Sequence, residues 1–207
     1  MNVILASNSP RRKEILSQVG IKFDVVPSTV EEKTVKTNPS EVVLDLSMQK
    51  ADDVSYKVKD SAIIIGADTV VCIDKRILGK PQDEAEAIRM VRQLQGRSHT
   101  VYTGVSVIIK TAENGYDKYE QTGLQRFHKK TIQFYEETTV HVNHMSEKEI
   151  EEYVKSGESL DKAGGYAIQG RFASFVKGIS GDYNNVVGFP ISKLYQALKR
   201  EGIDIRE

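Results

Sequence analysis

Apolar and polar positions divide the chain into short strand-like runs and longer stretches of helical period. Val3 to Ala6 is a short apolar run that predicts a buried strand. Ser7-Asn8-Ser9-Pro10 breaks it, with Ser9 placed to cap a helix and Pro10 to open it. The apolar stripe of that helix is Ile15, Leu16 and Val19, and Gly20 ends it. Ile21 to Val26 is the next strand candidate. Asn38-Pro39-Ser40-Glu41 opens a second helix, running to about Val58, with Glu41 able to reach back as in a capping box. Ala62 to Ile65 is a strongly apolar strand, Gly66-Ala67-Asp68 interrupts it, and Thr69 to Ile73 resumes it. Asp74-Lys75-Arg76 reads as a tight turn.

Asp83 to Leu94 predicts a helix with acids early and Arg89 and Arg92 late, the order its dipole favours. Val101 to Ile109 reads as a long strand, Asn114-Gly115 as a hairpin turn, and Gln125 to Val142 as further strand with a polar, poorly periodic middle. Ser146 and Glu149 form a capping box before a helix to about Lys155, ended by Gly157. Ser159 to Gly170 is glycine-rich loop, Phe172 to Ile179 alternates like a strand, and Ile191 to Lys199 is the last helix. This mixture predicts an α/β fold, or α+β with a mixed sheet. There is no repeat, no low-complexity stretch and no visible linker, so any second lobe must be intimately joined to the first.

At 207 residues the chain can bury a sizeable core. Lys and Arg number 29 and so do Asp and Glu, so the formal charge is zero. That balance argues against a broad basic face for nucleic acid or an anionic membrane, but not against a small cationic pocket. The 39% apolar and 28% charged content is that of a globular protein rather than a disordered one. The single cysteine, Cys72, cannot form an internal disulfide, which fits a reducing, cytoplasmic setting. No apolar run approaches the roughly 20 residues of a membrane helix. The N-terminus lacks the basic start of a signal peptide and reads as a first strand.

Several residues sit where local rules disfavour them. Arg11 and Arg12 fall in the first turn of the helix after Ser9, at the positive end of its dipole, at a cost of ~0.3–1 kcal/mol each. An anion bound between them would reverse the sign, because helix-start N–H groups and guanidinium forks both suit phosphate. Otherwise the two side chains simply extend into water. Lys50 follows Val43 and Leu46 and precedes Val54 at helical spacing, so it lies on or beside the core-facing seam. Alone it reads as a lysine whose stem packs while its ammonium reaches solvent. Asp68 stands inside an apolar double strand, beside the small residues Gly66 and Ala67. It is either a base or metal ligand delivered to a cleft, or an acid at a bulge between two short strands. Glu32 lies in a polar segment and Lys80 between Gly79 and Pro81, and each is weak evidence by itself.

Other constellations carry less. His141 and His144 are spaced as a metal pair but lack a third ligand, and read as surface histidines. Cys72 reads as an inert strand residue. There is no Walker loop, dinucleotide glycine fingerprint or serine-hydrolase elbow. What remains is a set of cations suited to phosphates and acids suited to a divalent metal, the chemistry of cutting a phosphoanhydride.

Ser7 to Leu16 closely resembles the N-terminal signature of the Maf family of nucleoside triphosphate pyrophosphatases. The resemblance continues through Glu32, Lys50-Ala51, Gly66 to Val71, Gly79-Lys80-Pro81, Gly96 to His99, Asp161 to Gly170 and Gly188-Phe189-Pro190. It implies a Maf or inosine-triphosphatase-like fold over residues 1–207: a mixed twisted sheet, two lobes around a cleft, and often a homodimer. It also implies hydrolysis between the α and β phosphates, a divalent cation such as Mg2+ or Mn2+, and Asp68 as proton acceptor. Thr69 and Ile168-Gln169-Gly170 resemble the branch that prefers dTTP and UTP, in which the positions matching Arg11, Thr69 and Gln169 are linked to substrate choice. A housecleaning role against modified pyrimidine nucleotides is a further implication. The stretch 112–138 looks longer and more polar than in typical members and reads as an enlarged hairpin.

These readings combine into one expectation. Arg11, Arg12, Lys50 and Lys80 grip the triphosphate, Glu32 and Asp68 hold the metal, and Asp68 orients or deprotonates water. Two rivals remain at this stage: a nucleotide-binding regulator without hydrolysis, and a nucleotidyltransferase that uses the same phosphate grip.

Overall fold

A computed structural model of the chain describes residues 1–112 and 127–206. Seven strands form one mixed sheet: β1 (Asn2–Leu5), β2 (Asp24–Val25), β3 (Ala62–Ile73), β4 (Arg76–Leu78), β5 (Ser98–Ala112), β6 (Phe127–Val142) and β7 (Val176–Ser180). Their order is β2-β1-β3-β5-β6-β7, with β4 on the far half of β3. β1 runs parallel to β2 and β3, and every other pairing is antiparallel. Six α-helices and two 3-10 turns, Ala163–Gly165 and Arg171–Phe175, accompany the sheet among the described residues: α1 (Pro10–Gln18), α2 (Pro39–Lys57), α3 (Glu84–Leu94), α4 (Glu147–Lys155), α5 (Tyr183–Val187) and α6 (Ile191–Arg200). No helix among them is long and apolar enough to cross a membrane.

Both faces of the sheet are covered, and the period of two on β3 shows how. Ile63, Ile65 and Ala67 point to a large core built with Leu16, Val91, Ile150 and Leu194 from α1, α3, α4 and α6. Ile64 points to the other face, against Ala51 and Val54 of α2. Asp68 has the parity of Ile64 and therefore faces α2.

α2 lies unusually close to this face. A Cβ on Gly66 would stand 2.3 Å from the Ser47 carbonyl oxygen, and one on Gly104 would stand 2.4 Å from that of Val43. Only glycine fits at either place. The approach is secured by Ser47 and Ser106, whose hydroxyls meet at 2.7 Å. One turn further along α2, Lys50 is carried over Asp68.

The caps explain the helix starts. Asn38 accepts from the Ser40 N–H, Asp83 accepts from the Glu86 N–H, and Ser146 and Glu149 form the full reciprocal box. At α2 the cap is Asn38 alone, without the box partner expected from Glu41.

The structure corrects five local expectations. β3 is one continuous strand through Gly66-Ala67-Asp68, because β5 pairs with it from Ala62 to Cys72 and Lys50 compensates the acid. Ile21 to Val26 yields only the two-residue β2. Val19 caps α1 in an exposed position rather than completing its stripe. Phe172 to Ile179 splits into a 3-10 turn over Arg171–Phe175 and then β7, because Phe172 is drawn fully into the core. Finally, α5 is a short helix the pattern did not predict. The β5–β6 ladder reaches Ala112 opposite Phe127, and the rest of the expected enlarged hairpin, with Asn114-Gly115, falls on residues 113–126, outside the described residues.

Candidate active site

The turn after β1, the middle of β3, the loop before α2 and the late loop 161–169 enclose one cleft of about 440 Å3. All eight residues singled out in the sequence line it: Arg11, Arg12, Glu32, Lys50, Asp68, Thr69, Lys80 and Gln169. Up to 158 positions separate them along the chain, so their convergence is a product of the fold.

At the floor, Lys50 joins two acids. Its Nζ donates to Asp68 Oδ1 at 2.6 Å and lies 2.9 Å from Glu32 Oε2. The Lys50 and Asp68 side chains are 14% and 13% exposed, while that of Glu32 is 41% exposed. Lys50 therefore does not reach for bulk water, as a snorkelling lysine would. It spans two carboxylates, and both carboxylates open to the cleft.

One wall is the start of α1. Pro10 occupies the first turn and Ser9 makes no side-chain cap, so the helix start that lines the cleft has early N–H groups without a capping oxygen. Arg11 and Arg12 then part company. The Arg12 guanidinium is tied into the protein, with Nε donating to Gly188 O at 3.0 Å, Nη1 to Ser7 Oγ at 3.1 Å and Nη2 to Thr69 Oγ1 at 3.3 Å. One N–H on each Nη remains for a ligand. The Thr103 hydroxyl donates to Asn185 O at 3.0 Å, so Thr69 must donate to Thr103 Oγ1, 2.9 Å away. Arg12, Thr69, Thr103 and Asn185 thus form a directed relay of hydrogen bonds. Burial lowers the pKa of Arg12, and the Asp68 charge opposes that shift. Burial also lowers the pKa of Arg11, which the Asp161 charge opposes. Among the described residues neither Arg11 nor Lys80 forms an ion pair, so both present free charge to the cleft.

The opposite wall contains residues that sequence reasoning left unassigned. Lys162 lines the cleft and pairs with its neighbour Asp161. Burial would raise the Asp161 carboxyl, but Lys162 and Arg11 hold it below the usual range. Tyr166 packs its ring on Phe172 and shares a 2.7 Å hydrogen bond with His99 Nε2. Burial pushes the Tyr166 phenol up and the His99 imidazole down to about 4, so His99 is neutral. Asp161, Lys162 and Tyr166 stand outside regular strand and α-helix, where no periodicity exists for a polar residue to violate, while His99 lies on β5. The available signals were a lysine inside a glycine-rich run and the match of Gly96 to His99 and Asp161 to Gly170 to the family pattern, which gave these residues no role.

The sequence matches the family described as Maf-like protein over residues 2–201. The chain belongs to the Maf family. It is 48% identical over 206 residues to a dTTP/UTP pyrophosphatase of Thermoanaerobacter sp. (strain X514), covering 100% of this chain and 99% of that one. It is 46% identical over 215 residues to a dTTP/UTP pyrophosphatase of Agathobacter rectalis, covering 98% of each. Among solved structures it is similar to the Ham1 protein of Staphylococcus aureus, at 13% identity and a TM-score of 0.40, over 69% of this chain and 72% of that one.

Maf membership implies a divalent cation, and the donor set fits one. Glu32 and Asp68 supply hard oxygens within 2.9 and 2.6 Å of a single point, the Lys50 ammonium. No cluster of three or more histidine, cysteine or acidic groups able to hold a metal occurs among the described residues. Two carboxylates suit an ion that completes its shell with phosphate oxygens and water, as Mg2+ does, rather than one held in a closed protein cage.

Proposed function

We propose that this Maf protein hydrolyses nucleoside triphosphates between the α and β phosphates, releasing pyrophosphate, with dTTP and UTP as its preferred substrates. The observation that carries the reading is the convergence of Arg11, Arg12, Lys50 and Lys80 with Glu32 and Asp68 on one cleft. The names of the full-length relatives supply the reaction and the pyrimidine preference.

The chain's own groups divide the work. The start of α1 and the free charges of Arg11 and Lys80 receive the phosphates, and Arg12 adds its two spare N–H groups. Asp68 orients the attacking water and accepts its proton, within reach of Lys50. Lys50, Lys80 and Arg12 offset the charge that grows on departing pyrophosphate. When bound, a divalent cation such as Mg2+ or Mn2+ held by Glu32 and Asp68 supplies further charge neutralisation. Gln169 offers both a donor and an acceptor to a pyrimidine edge. The Thr69 hydroxyl is already engaged on both sides, so we assign it an effect on substrate choice through the placement of Arg12.

A panel of nucleoside triphosphates assayed for pyrophosphate with and without Mg2+ or Mn2+ tests this. The expected result is release from dTTP and UTP that needs metal. Tight nucleotide binding without pyrophosphate under any metal would favour a regulator. Product only in the presence of an acceptor would favour a nucleotidyltransferase.

A further inference from the structure

Glu32 lies on residues 26–38, a stretch between β2 and α2 that is neither helix nor strand. Side chains of α2 fasten this stretch along its length, and Lys57 Nζ donates to Thr29 Oγ1 at 2.7 Å. Asp53 Oδ2 accepts from Ser28 Oγ at 2.9 Å and from the Thr29 N–H at 2.8 Å. Gln49 makes a closer fastening to Glu32. Its Oε1 accepts from the Lys33 N–H at 3.2 Å, and its Nε2 donates to the Lys33 carbonyl at 2.7 Å. One amide thus satisfies both backbone groups of a single residue, as a neighbouring strand would. Gln49 precedes Lys50 and Lys33 follows Glu32, so the amide clamp and the Lys50–Glu32 ion pair are adjacent rungs between loop and helix.

We propose that Gln49 is a positioning residue, whose clamp on the Lys33 backbone sets Glu32 at the separation from Asp68 at which both carboxylates can share one divalent cation. The inference rests on the reading of Glu32 and Asp68 as the metal-holding pair. Lys50 draws the Glu32 carboxylate but does not hold its backbone. Asp53 anchors the loop three and four residues upstream, too far to fix the rotation of Glu32 about the chain. The Gln49 amide fixes that rotation, because two opposed hydrogen bonds define a direction as well as a distance.

The test measures Mn2+ binding calorimetrically, to the protein alone and with a dTTP analogue carrying a methylene bridge between the α and β phosphorus atoms. Wild type is compared with Glu32→Gln, Gln49→Ala and Gln49→Met, and with Gln49→Met combined with Glu32→Gln. Methionine keeps the volume of glutamine and removes both hydrogen bonds, so it separates the clamp from packing, and thermal melts confirm that each variant is folded. The expected result is Mn2+ affinity lower by ~3–10-fold in either Gln49 variant, the worth of a net hydrogen bond or so. In the Glu32→Gln background the Gln49→Met change should add nothing. Equal weakening in both backgrounds, or no weakening, overturns the inference while leaving the metal pair intact. Unchanged Mn2+ affinity in Glu32→Gln overturns the metal pair and the inference together.

Discussion

The ammonium of Lys50, 2.6 and 2.9 Å from Asp68 and Glu32, makes both acids tolerable at the floor of a cleft. It also makes the central variant interpretable. Asp68→Asn removes the proposed proton acceptor but leaves Lys50 its bond to Glu32, so the fold should survive. Pyrophosphate release should fall by at least ~100-fold, with an unchanged circular dichroism spectrum. Turnover within tenfold of wild type would remove Asp68 from that role. His99 gives a second test at the same scale. Its folded pKa of about 4 lies below its ordinary value of 6.5. Above pH 6.5 neither the folded nor the unfolded chain protonates it, and its contribution to stability is fully present. As pH falls below 6.5 the unfolded chain takes the proton first, so stability is lost until folded His99 protonates near pH 4. The loss amounts to about 3 kcal/mol over that window. Urea unfolding at several pH values should show this slope in wild type and not in His99→Gln. Sequence alone exposed Arg11, Arg12, Lys50 and Asp68, because each breaks a helix-dipole, seam or strand rule that only a ligand or partner repairs. It gave no role to Lys162, Tyr166 or Gln49. The first two stand in irregular chain, and the third sits in an ordinary helical position whose partner is a loop backbone.

Between elements, the contact that matters most is the backbone of α2 against β3 and β5. It has no side chain at its closest points, only Gly66 and Gly104 beneath Ser47 and Val43. This explains why an apparent break in the strand pattern is no break. Gly66 weakens a strand by propensity, yet here it creates room for a helix that carries the counter-ion of Asp68. Local propensity read Gly66-Ala67-Asp68 as an interruption, while the eleven-residue register with β5 keeps the strand intact. Phe172 shows the reverse case, an alternating run bent into a 3-10 turn because burying one ring outweighs extending a strand. Gly66→Ala should push α2 outward at Ser47 and Ala51 and lower stability by ~1–3 kcal/mol, as overpacking does. Because Lys50 rides on that helix, turnover should fall as well, even at temperatures where the variant remains folded. A destabilised variant with normal kcat would show that the Lys50–Asp68 spacing does not depend on the helix seat.

Across the whole molecule, zero net charge conceals a strong separation of roles among the cleft cations. Arg12 ties three segments together: Ser7 after β1, Thr69 within β3 and Gly188 after α5. Gly188 can offer its carbonyl there because it ends α5 at φ 110, a conformation that favours glycine. Arg11 stands next to Arg12 in sequence but has no such duty, and faces Asp161 across the cleft. The sequence made the two arginines equivalent, since both break the same dipole rule. Only the fold distinguishes a guanidinium that joins the walls from one that waits for substrate. Arg12→Ala should therefore lower unfolding stability by ~2–4 kcal/mol, since it strips a charged donor from three acceptors. Arg11→Ala should stay within ~1 kcal/mol of wild type. In steady-state assays the order should change. Arg11→Ala should raise KM for dTTP about tenfold or more at nearly constant stability, the signature of a lost phosphate contact of ~1.4 kcal/mol. If urea midpoints instead fall equally in both variants, Arg11 is as structural as Arg12, and the free cations of the cleft reduce to Lys80.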